Sequence, residues 1–169
     1  MTLNNELKKT YFQTFLKSEL TNTKEAIADY IEPCKFLHVH KDKFKKLFIQ
    51  RLTITIQDNA IMKRQMYGAM CKLKNGINIY YMNKNEKVNI TNEEFPIKSN
   101  CDWLFYSCKT ELSKFNDNHN FYKITFDFTN QMGMNLVLDY NDSFVIELND
   151  DFTNLEAQLF NIEGFTYRI

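Results

Sequence analysis

The 169-residue sequence predicts one α+β domain, in which helices pack on a mostly antiparallel sheet of about six or seven strands. Hydrophobic residues make up 44% of the chain, which is enough for one packed core and excludes a disordered protein. Apolar residues recur at helical spacing near both ends. The segment LTITI at 52–56 alternates as a strand does, and Asn75-Gly76 is a preferred two-residue hairpin turn.

Helices are predicted where apolar residues recur every three to four positions. An N-terminal helical part spans residues 1–33, with one helix over 4–20 and a shorter one that Thr23 caps and Pro33 ends. A further short helix is predicted within 41–49, where the apolar side chains fit about one and a half helical turns.

Two more helices are predicted in the second half of the chain. The central helix begins at Asn100, a favourable cap, and its apolar face extends to Phe115. The C-terminal helix begins at Thr153, which matches a capping box with Glu156, and ends at Gly164. The tail after Gly164 alternates and could add an edge strand.

Strands are predicted between these helices and their turn signals. The Asn75-Gly76 turn joins two of them, and a second turn at 83–86 adds a third, which gives a three-stranded meander. The predicted strands lie near 52–56, 66–74, 77–82, 87–90, 121–128, 134–140 and 144–148.

The register of the last predicted hairpin follows from its side chains. A two-residue turn would mix apolar and polar side chains on each face, whereas a three-residue loop at 141–143 gives one wholly apolar face. The pairs on that face are Leu136 with Leu148, Leu138 with Ile146 and Tyr140 with Phe144.

No catalytic motif is present in the sequence. The four glycines are too scattered for a phosphate-binding loop, and H-E-x-x-H, G-x-S-x-G and C-x-x-C are absent. We therefore assign no catalytic residue and no cofactor, and we predict a role that is not enzymatic.

Cys34, His38 and His40 form the one cluster that resembles part of a metal site. A structural zinc site needs four ligands, and the fourth would have to come from a distant residue such as Cys71 or His119. We therefore predict no metal, and we interpret the four cysteines as reduced thiols of an intracellular protein.

The predicted location is cytoplasmic, without a membrane partner. No stretch approaches the roughly 20 apolar residues that cross a bilayer. Charged residues interrupt the apolar pattern at the N-terminus, which is unlike the continuous apolar core of a signal peptide.

Charge is unevenly distributed along the chain, although 21 basic and 21 acidic residues cancel. Residues 35–74, the basic segment, hold ten basic residues against two acidic ones, a net +8. Residues 124–163, the acidic segment, hold eight acidic residues and no lysine or arginine, a net −8. If the two segments form separate surface patches, each would steer a partner of opposite charge.

The favoured hypothesis is a protein-binding inhibitor, such as an immunity or antitoxin-type protein that neutralises a basic toxin or nuclease. On the register above, Asp139 and Glu147 project from the outward face of the last hairpin and attract a basic partner. The predicted partner-binding residues of this acidic face are Asp139, Asp142, Glu147, Asp150 and Asp151.

Two alternatives remain. A nucleic-acid-binding module would use the basic segment, with Tyr67, Tyr80 or Tyr81 stacked on bases, although the neutral net charge argues against it. The lesser alternative is a small-molecule enzyme whose site is assembled from scattered residues. The predicted nucleic-acid contacts are Lys41, Lys43, Lys45, Lys46 and Arg51.

Overall fold

A computed structural model describes 11 strands of the chain, and the described residues contain no helix. The described residues are 9–19, 34–58, 74–91, 107–114, 120–128, 136–150 and 155–169. The strands are β1 Lys9–Phe15, β2 Lys17–Ser18, β3 Cys34–Val39, β4 Lys45–Asp58, β5 Ile77–Asn83, β6 Glu86–Asn89, β7 Ser107–Lys114, β8 Asn120–Asp127, β9 Leu136–Leu138, β10 Ser143–Leu148 and β11 Leu155–Arg168.

The strands form two antiparallel sheets. Sheet A has the order β1-β11-β4-β8-β7, and β9 pairs with the first part of β4 on the same side as β8. Sheet B has the order β2-β3-β10-β5-β6. Six of the nine described strand pairs join strands that are not consecutive in the chain, so the fold depends on long-range pairing more than on hairpins.

The two sheets pack face to face around a dry core. The rings of Phe36 in β3 and Phe160 in β11 lie 4.8 Å apart, and those of Phe128 and Phe144 lie 6.3 Å apart. Each sheet contributes alternate side chains, as a sandwich requires. Burying one such aliphatic or aromatic side chain stabilises the fold by about 1.5–3 kcal/mol. The other core side chains include Leu16, Cys34, Leu47, Ile49, Leu52, Ile54, Ile77, Ile79, Phe126, Leu136, Leu138, Ile146, Leu148 and Ile162.

A β-bulge interrupts the longest strand pair, β4 with β11. Glu163 lies opposite Arg51 while Gly164 lies opposite Ile49, so Gln50 is the extra residue. Leu47 and Ile49 face the core before the bulge, and Leu52 and Ile54 face it afterwards. The bulge therefore places Gln50 and Arg51 in succession on the outer face of sheet A.

Gly164 permits the close approach of strands at this bulge. A Cβ atom at Gly164 would lie 1.9 Å from the carbonyl oxygen of Phe48, which no side chain can tolerate. Glycine is therefore required here by the neighbouring backbone.

The α+β prediction is wrong, because strands replace the predicted helices wherever the structure describes them. The C-terminal helix is instead β11, and residues 107–114 of the central helix are β7. Residues 9–18 of the first helix form β1 and β2, while 41–49 form a turn and the start of β4. The short helix ending at Pro33 and residues 100–106 lie outside the described residues.

Several strand predictions are confirmed. The segment at 52–56 belongs to β4, and the strands near 77–82, 121–128 and 144–148 correspond to β5, β8 and β10. The turn after β5 is also confirmed, with positive φ at Lys84 (46°) and Asn85 (76°). The strand predicted near 66–74 lies almost wholly outside the described residues.

The predicted hairpin of 134–140 with 144–148 is wrong. β9 pairs with β4 in sheet A, whereas β10 pairs with β3 and β5 in sheet B. The connection at 139–142 therefore crosses between the sheets. Leu138 and Ile146 are both buried as expected, but they belong to opposite sheets; Tyr140 is 50% exposed. The alternating tail lies within β11, between β1 and β4, and is not an edge strand.

Among the described residues there is no helix with the length and apolar character that a membrane span requires.

Candidate functional site

Asp142, one of the predicted partner-binding acids, is buried and holds two connections together. Its Oδ1 accepts a hydrogen bond from the backbone nitrogen of Lys84 at 3.1 Å, and its Oδ2 accepts one from that of Asp139 at 2.9 Å. Only 2% of Asp142 is exposed. Because a buried carboxylate must be satisfied by donors of the protein itself, Asp142 organises these turns and offers no surface to a partner.

Asp150, a second predicted acid, has the same kind of role at the start of β5. Its carboxylate accepts hydrogen bonds from the backbone nitrogens of Lys74, Asn75 and Gly76, at 3.1, 2.9 and 2.6 Å. The predicted Asn75-Gly76 turn is thus tied to the end of β10. A carboxylate that accepts several backbone bonds is strongly stabilised where it lies.

The other two described acids of the predicted face are ion-paired. Asp139 lies 3.2 Å from the ammonium group of Lys46, and Glu147 lies 3.8 Å from that of Lys35. Glu147 also accepts a hydrogen bond from the hydroxyl group of Tyr80 at 3.4 Å. Burial and the charge of Glu147 raise the pKa of Tyr80 to about 12. Asp151 lies outside the described residues.

The basic and acidic segments meet in the folded chain. Arg51 of the basic segment contacts both Asp127 and Glu163 of the acidic segment. The pairs made by Lys46 and Lys35 also join the two segments. Charge that is separated along the sequence is therefore interleaved at these places, where each pair cancels most of the field that would steer a distant partner.

The predicted basic residues gather, except for Arg51, at one end of the sandwich. Phe44 lies in their midst and is 62% exposed, and Tyr140 of the facing connection is 50% exposed. Ile169 is 74% exposed and donates its backbone N–H to the carbonyl oxygen of Phe44 at 2.9 Å. We name this surface the aromatic end: Phe44, Tyr140, Ile169, Lys41, Lys43, Lys45 and Lys46.

The turn that carries Phe44 is fixed by Asp42. Oδ1 of Asp42 accepts a hydrogen bond from the backbone nitrogen of Phe44 at 3.0 Å, and Oδ2 lies 3.0 Å from the ammonium group of Lys45. These bonds, that of Lys45 first, lower the pKa of Asp42. An aspartate that bonds its own backbone two residues on is the usual device for such a turn.

His40 joins this turn to the connection that carries Tyr140. The ring is buried, and Nε2 donates to the carbonyl oxygen of Lys45 at 2.8 Å, because a carbonyl can only accept. The backbone of His40 also exchanges two hydrogen bonds with the other connection: its N–H donates to Asp142, and its carbonyl accepts from Asn141. The two aromatic side chains therefore project from connections that are bonded to each other.

Two lysines of the aromatic end lie against neutral groups. The ammonium group of Lys43 lies 5.0 Å from the centre of the Phe44 ring, and that of Lys41 donates to Oδ1 of Asn141 at 3.0 Å. A cation over an aromatic ring keeps its charge available to a partner.

Arg51 lies apart from the other predicted basic residues, on the outer face of sheet A. Its guanidinium group donates to Oε1 of Glu163 at 2.5 Å and approaches Oδ2 of Asp127 to 4.0 Å. The hydroxyl group of Tyr11 donates to the other oxygen of Glu163 at 2.9 Å, and this hydrogen bond raises the pKa of Tyr11. These four side chains border a cavity of about 200 Å³ at the bulge.

Cys34, His38 and His40 do not converge. Cys34 is buried in the core, and His40 bonds the backbone of Lys45. His38 stacks against Phe12 with ring centres 6.5 Å apart. Burial, and secondarily the charge of His40, lower the pKa of His38. Within the described ranges, no three side chains of the ligating kinds gather closely enough to hold a metal ion.

Sequence reasoning missed Phe44 and Tyr140 as surface residues. The sequence pattern places Phe44 on the apolar face of a predicted helix and Tyr140 on the apolar face of a predicted hairpin. A signal for Phe44 is nonetheless present, because the five other residues of KDKFKK are charged, and such a segment is typical of a solvated turn.

Comparisons with models of protein families, with curated proteins and with solved structures find no match for this chain.

Proposed function

We propose that the protein is a non-catalytic binding module that recognises a protein partner through the aromatic end and acts by stoichiometric inhibition. The observation that supports this is the exposure of Phe44 and Tyr140, at 62% and 50%, beside four lysines. Exposed aromatic side chains next to charged ones are the usual anchors of protein interfaces.

Rigid presentation supports the proposal. Asp42 fixes the turn of Phe44, and Asp142 and His40 fix the connection of Tyr140 to that turn. A surface whose backbone is already bonded in place loses little conformational entropy on binding, so more of the contact energy appears as affinity. The buried Asp142 thus supports the surface from beneath instead of contacting the partner.

The composition of the aromatic end favours a protein partner over a nucleic acid. Lys45 and Lys46 are already paired with Asp42 and Asp139, which would repel a phosphate backbone. Tyr80, which was expected to stack on bases, is only 6% exposed. Tyr81 is partly buried against the core, and Tyr67 lies outside the described residues.

A basic toxin or nuclease, the partner that the sequence predicts, would have to bind the acidic face. With Asp142 and Asp150 bonded internally, that version rests on Asp139 and Glu147, both of which already pair with lysines. We keep it as the competing form of the same inhibitor proposal. We also propose a cytoplasmic location for this role, on the sequence grounds given above.

Capture from the native cell tests the proposal when it is combined with matched variants. The tagged chain is compared with Phe44→Ser/Tyr140→Ser and with Phe15→Ser, which removes an exposed aromatic side chain elsewhere. A third variant, Asp139→Lys/Glu147→Lys, reverses the acidic face. The bound species is identified by mass spectrometry before and after nuclease treatment.

We expect the captured species to be a protein whose binding survives nuclease treatment and is unchanged in the Phe15 variant. Because two interface anchors are removed together, its affinity for the Phe44/Tyr140 variant should fall about 30-fold or more. Loss of binding only in the Asp139/Glu147 variant would show that the partner binds the acidic face instead. Binding that disappears with nuclease, or that ignores all three variants, would contradict the proposal.

A further inference from the structure

A row of charged side chains crosses the outer face of sheet A at the bulge. Glu163 in β11, Arg51 in β4 and Asp127 in β8 lie opposite one another in register on adjacent strands. The two carboxylate side chains are only 18% and 21% exposed, whereas that of Arg51 is 46% exposed. The row thus holds two sheltered acceptors around one accessible donor.

The bulge turns this row into a recess. Gln50 projects next to Arg51, and the two residues border the recess together with Gly164. The resulting cavity of about 200 Å³ is completed by Tyr11, which is 57% exposed. Bulges often redirect side chains in this way where a strand borders a binding site.

Hydrogen-bonding capacity remains unused in the recess. Glu163 accepts one bond from Tyr11 and one from Arg51, although an ionised carboxylate offers about four lone pairs. Arg51 has five N–H donors, of which the two carboxylates occupy only part. Gln50 adds an amide that both donates and accepts.

The net charge of the recess selects the kind of ligand. The carboxylate of Glu163 lines the recess beside Arg51 and offsets its charge, which disfavours phosphates and other anions. Acceptors and donors placed side by side suit neighbouring hydroxyl groups, which donate to a carboxylate and accept from a guanidinium. The exposed ring of Tyr11 adds an apolar wall for C–H groups.

We propose that this recess binds a neutral saccharide, with Glu163 accepting from its hydroxyl groups, Arg51 and Gln50 donating to them, and Tyr11 covering one sugar face. The site lies on the outer face of sheet A, apart from the aromatic end, and its proposal does not depend on the protein-binding function. Its size accommodates a single sugar ring, free or at the end of a glycan.

The test is an NMR titration of the full-length, ¹⁵N-labelled protein with the methyl glycosides of glucose, galactose and mannose and with N-acetylglucosamine. Inorganic phosphate and arginine methyl ester are titrated in parallel as an anion and a cation. The variants are Glu163→Gln, which preserves size, and Tyr11→Phe, which preserves the ring. Asp139→Asn, in an ion pair outside the recess, is the matched control.

We expect at least one sugar to bind with a Kd of order 1 mM and to shift the amide signals of Gln50, Arg51 and Gly164. Affinity should fall about tenfold or more in Glu163→Gln, because an amide oxygen is a weaker acceptor than a carboxylate and the new NH₂ group faces hydroxyl donors. It should change less in Tyr11→Phe and not at all in Asp139→Asn.

The proposal is overturned if no sugar shifts these signals at concentrations of order 100 mM, well above the expected Kd. Binding of phosphate or arginine methyl ester alone would overturn it as well, as would sugar-induced shifts that Glu163→Gln leaves unchanged. Saturation-transfer measurements on the unmodified protein report binding independently of any variant, so a variant that fails to fold does not decide the outcome.

Discussion

Oδ2 of Asp150 lies 2.6 Å from the backbone nitrogen of Gly76, a residue 74 positions earlier in the sequence. Gly76 has a φ of 88°, a conformation that a residue with a side chain rarely adopts. The same carboxylate also receives the N–H groups of Lys74 and Asn75. One aspartate therefore accepts hydrogen bonds from the three backbone N–H groups that precede β5. These bonds explain why the charged Asp150 is buried.

Asp150→Asn should destabilise the protein by about 1–3 kcal/mol, because an amide group would turn a donor towards N–H groups that need an acceptor. Urea unfolding at neutral pH measures the effect. Asp139→Asn is the control, since it removes only a half-exposed ion pair with Lys46 and should cost about 0–1 kcal/mol. Equal losses in the two variants would contradict the structural role of Asp150.

Gly164→Ala should lower stability by roughly 3 kcal/mol or more, because the new Cβ atom would collide with the carbonyl oxygen of Phe48 and force β11 away from β4. Thr166→Ala in the same strand tests the loss of an ordinary side chain and should have a much smaller effect. Thermal unfolding followed by circular dichroism compares them. A Gly164→Ala protein as stable as the unmodified chain would refute the close approach at the bulge.

The turn between β5 and β6 can be improved. Both Lys84 and Asn85 have positive φ, which the sequence Asn-Gly adopts at lower cost. Lys84→Asn/Asn85→Gly should therefore raise stability by about 0.4–1 kcal/mol and increase the melting temperature by a few degrees. A decrease would show that the turn has another conformation.

Stability should decrease as the pH falls below about 6.5, the ordinary pKa of histidine, because burial lowers the pKa of His38 in the folded protein. Between the lowered pKa and the ordinary one, the unfolded chain binds a proton that the folded chain does not, so stability rises with pH across that window. His38→Phe should flatten this rise in urea unfolding between about pH 5 and 7. An unchanged slope would assign the effect to other groups.

Much of the strand content can be read from the sequence, but the sequence pattern predicts helices where β1, β7 and β11 form. In β11, Leu155, Leu159 and Ile162 have helical spacing, while the inward positions of the actual strand include the polar Gln158. A polar residue on the buried face concealed the twofold period. In β1, Tyr11 is exposed, although the helical pattern treated it as a core residue.

Long-range pairing explains the other errors. Leu138 and Ile146 were assigned to one hairpin because they are close in sequence, yet the chain crosses between the sheets at this point. The bulge is visible in the sequence, because the apolar alternation of β4 shifts by one residue between Ile49 and Leu52. The role of a buried acid such as Asp142 cannot be predicted from the sequence, because only the fold brings its backbone hydrogen-bond donors next to it.

The aromatic end is tested most directly by photo-crosslinking in the native cell. A photoreactive phenylalanine analogue replaces Phe44 in one protein and Phe15, an exposed aromatic residue outside both proposed sites, in another. We expect a single protein partner to become covalently attached at position 44 and not at position 15. Attachment at position 15 alone, or the same products at both positions, would contradict the proposal.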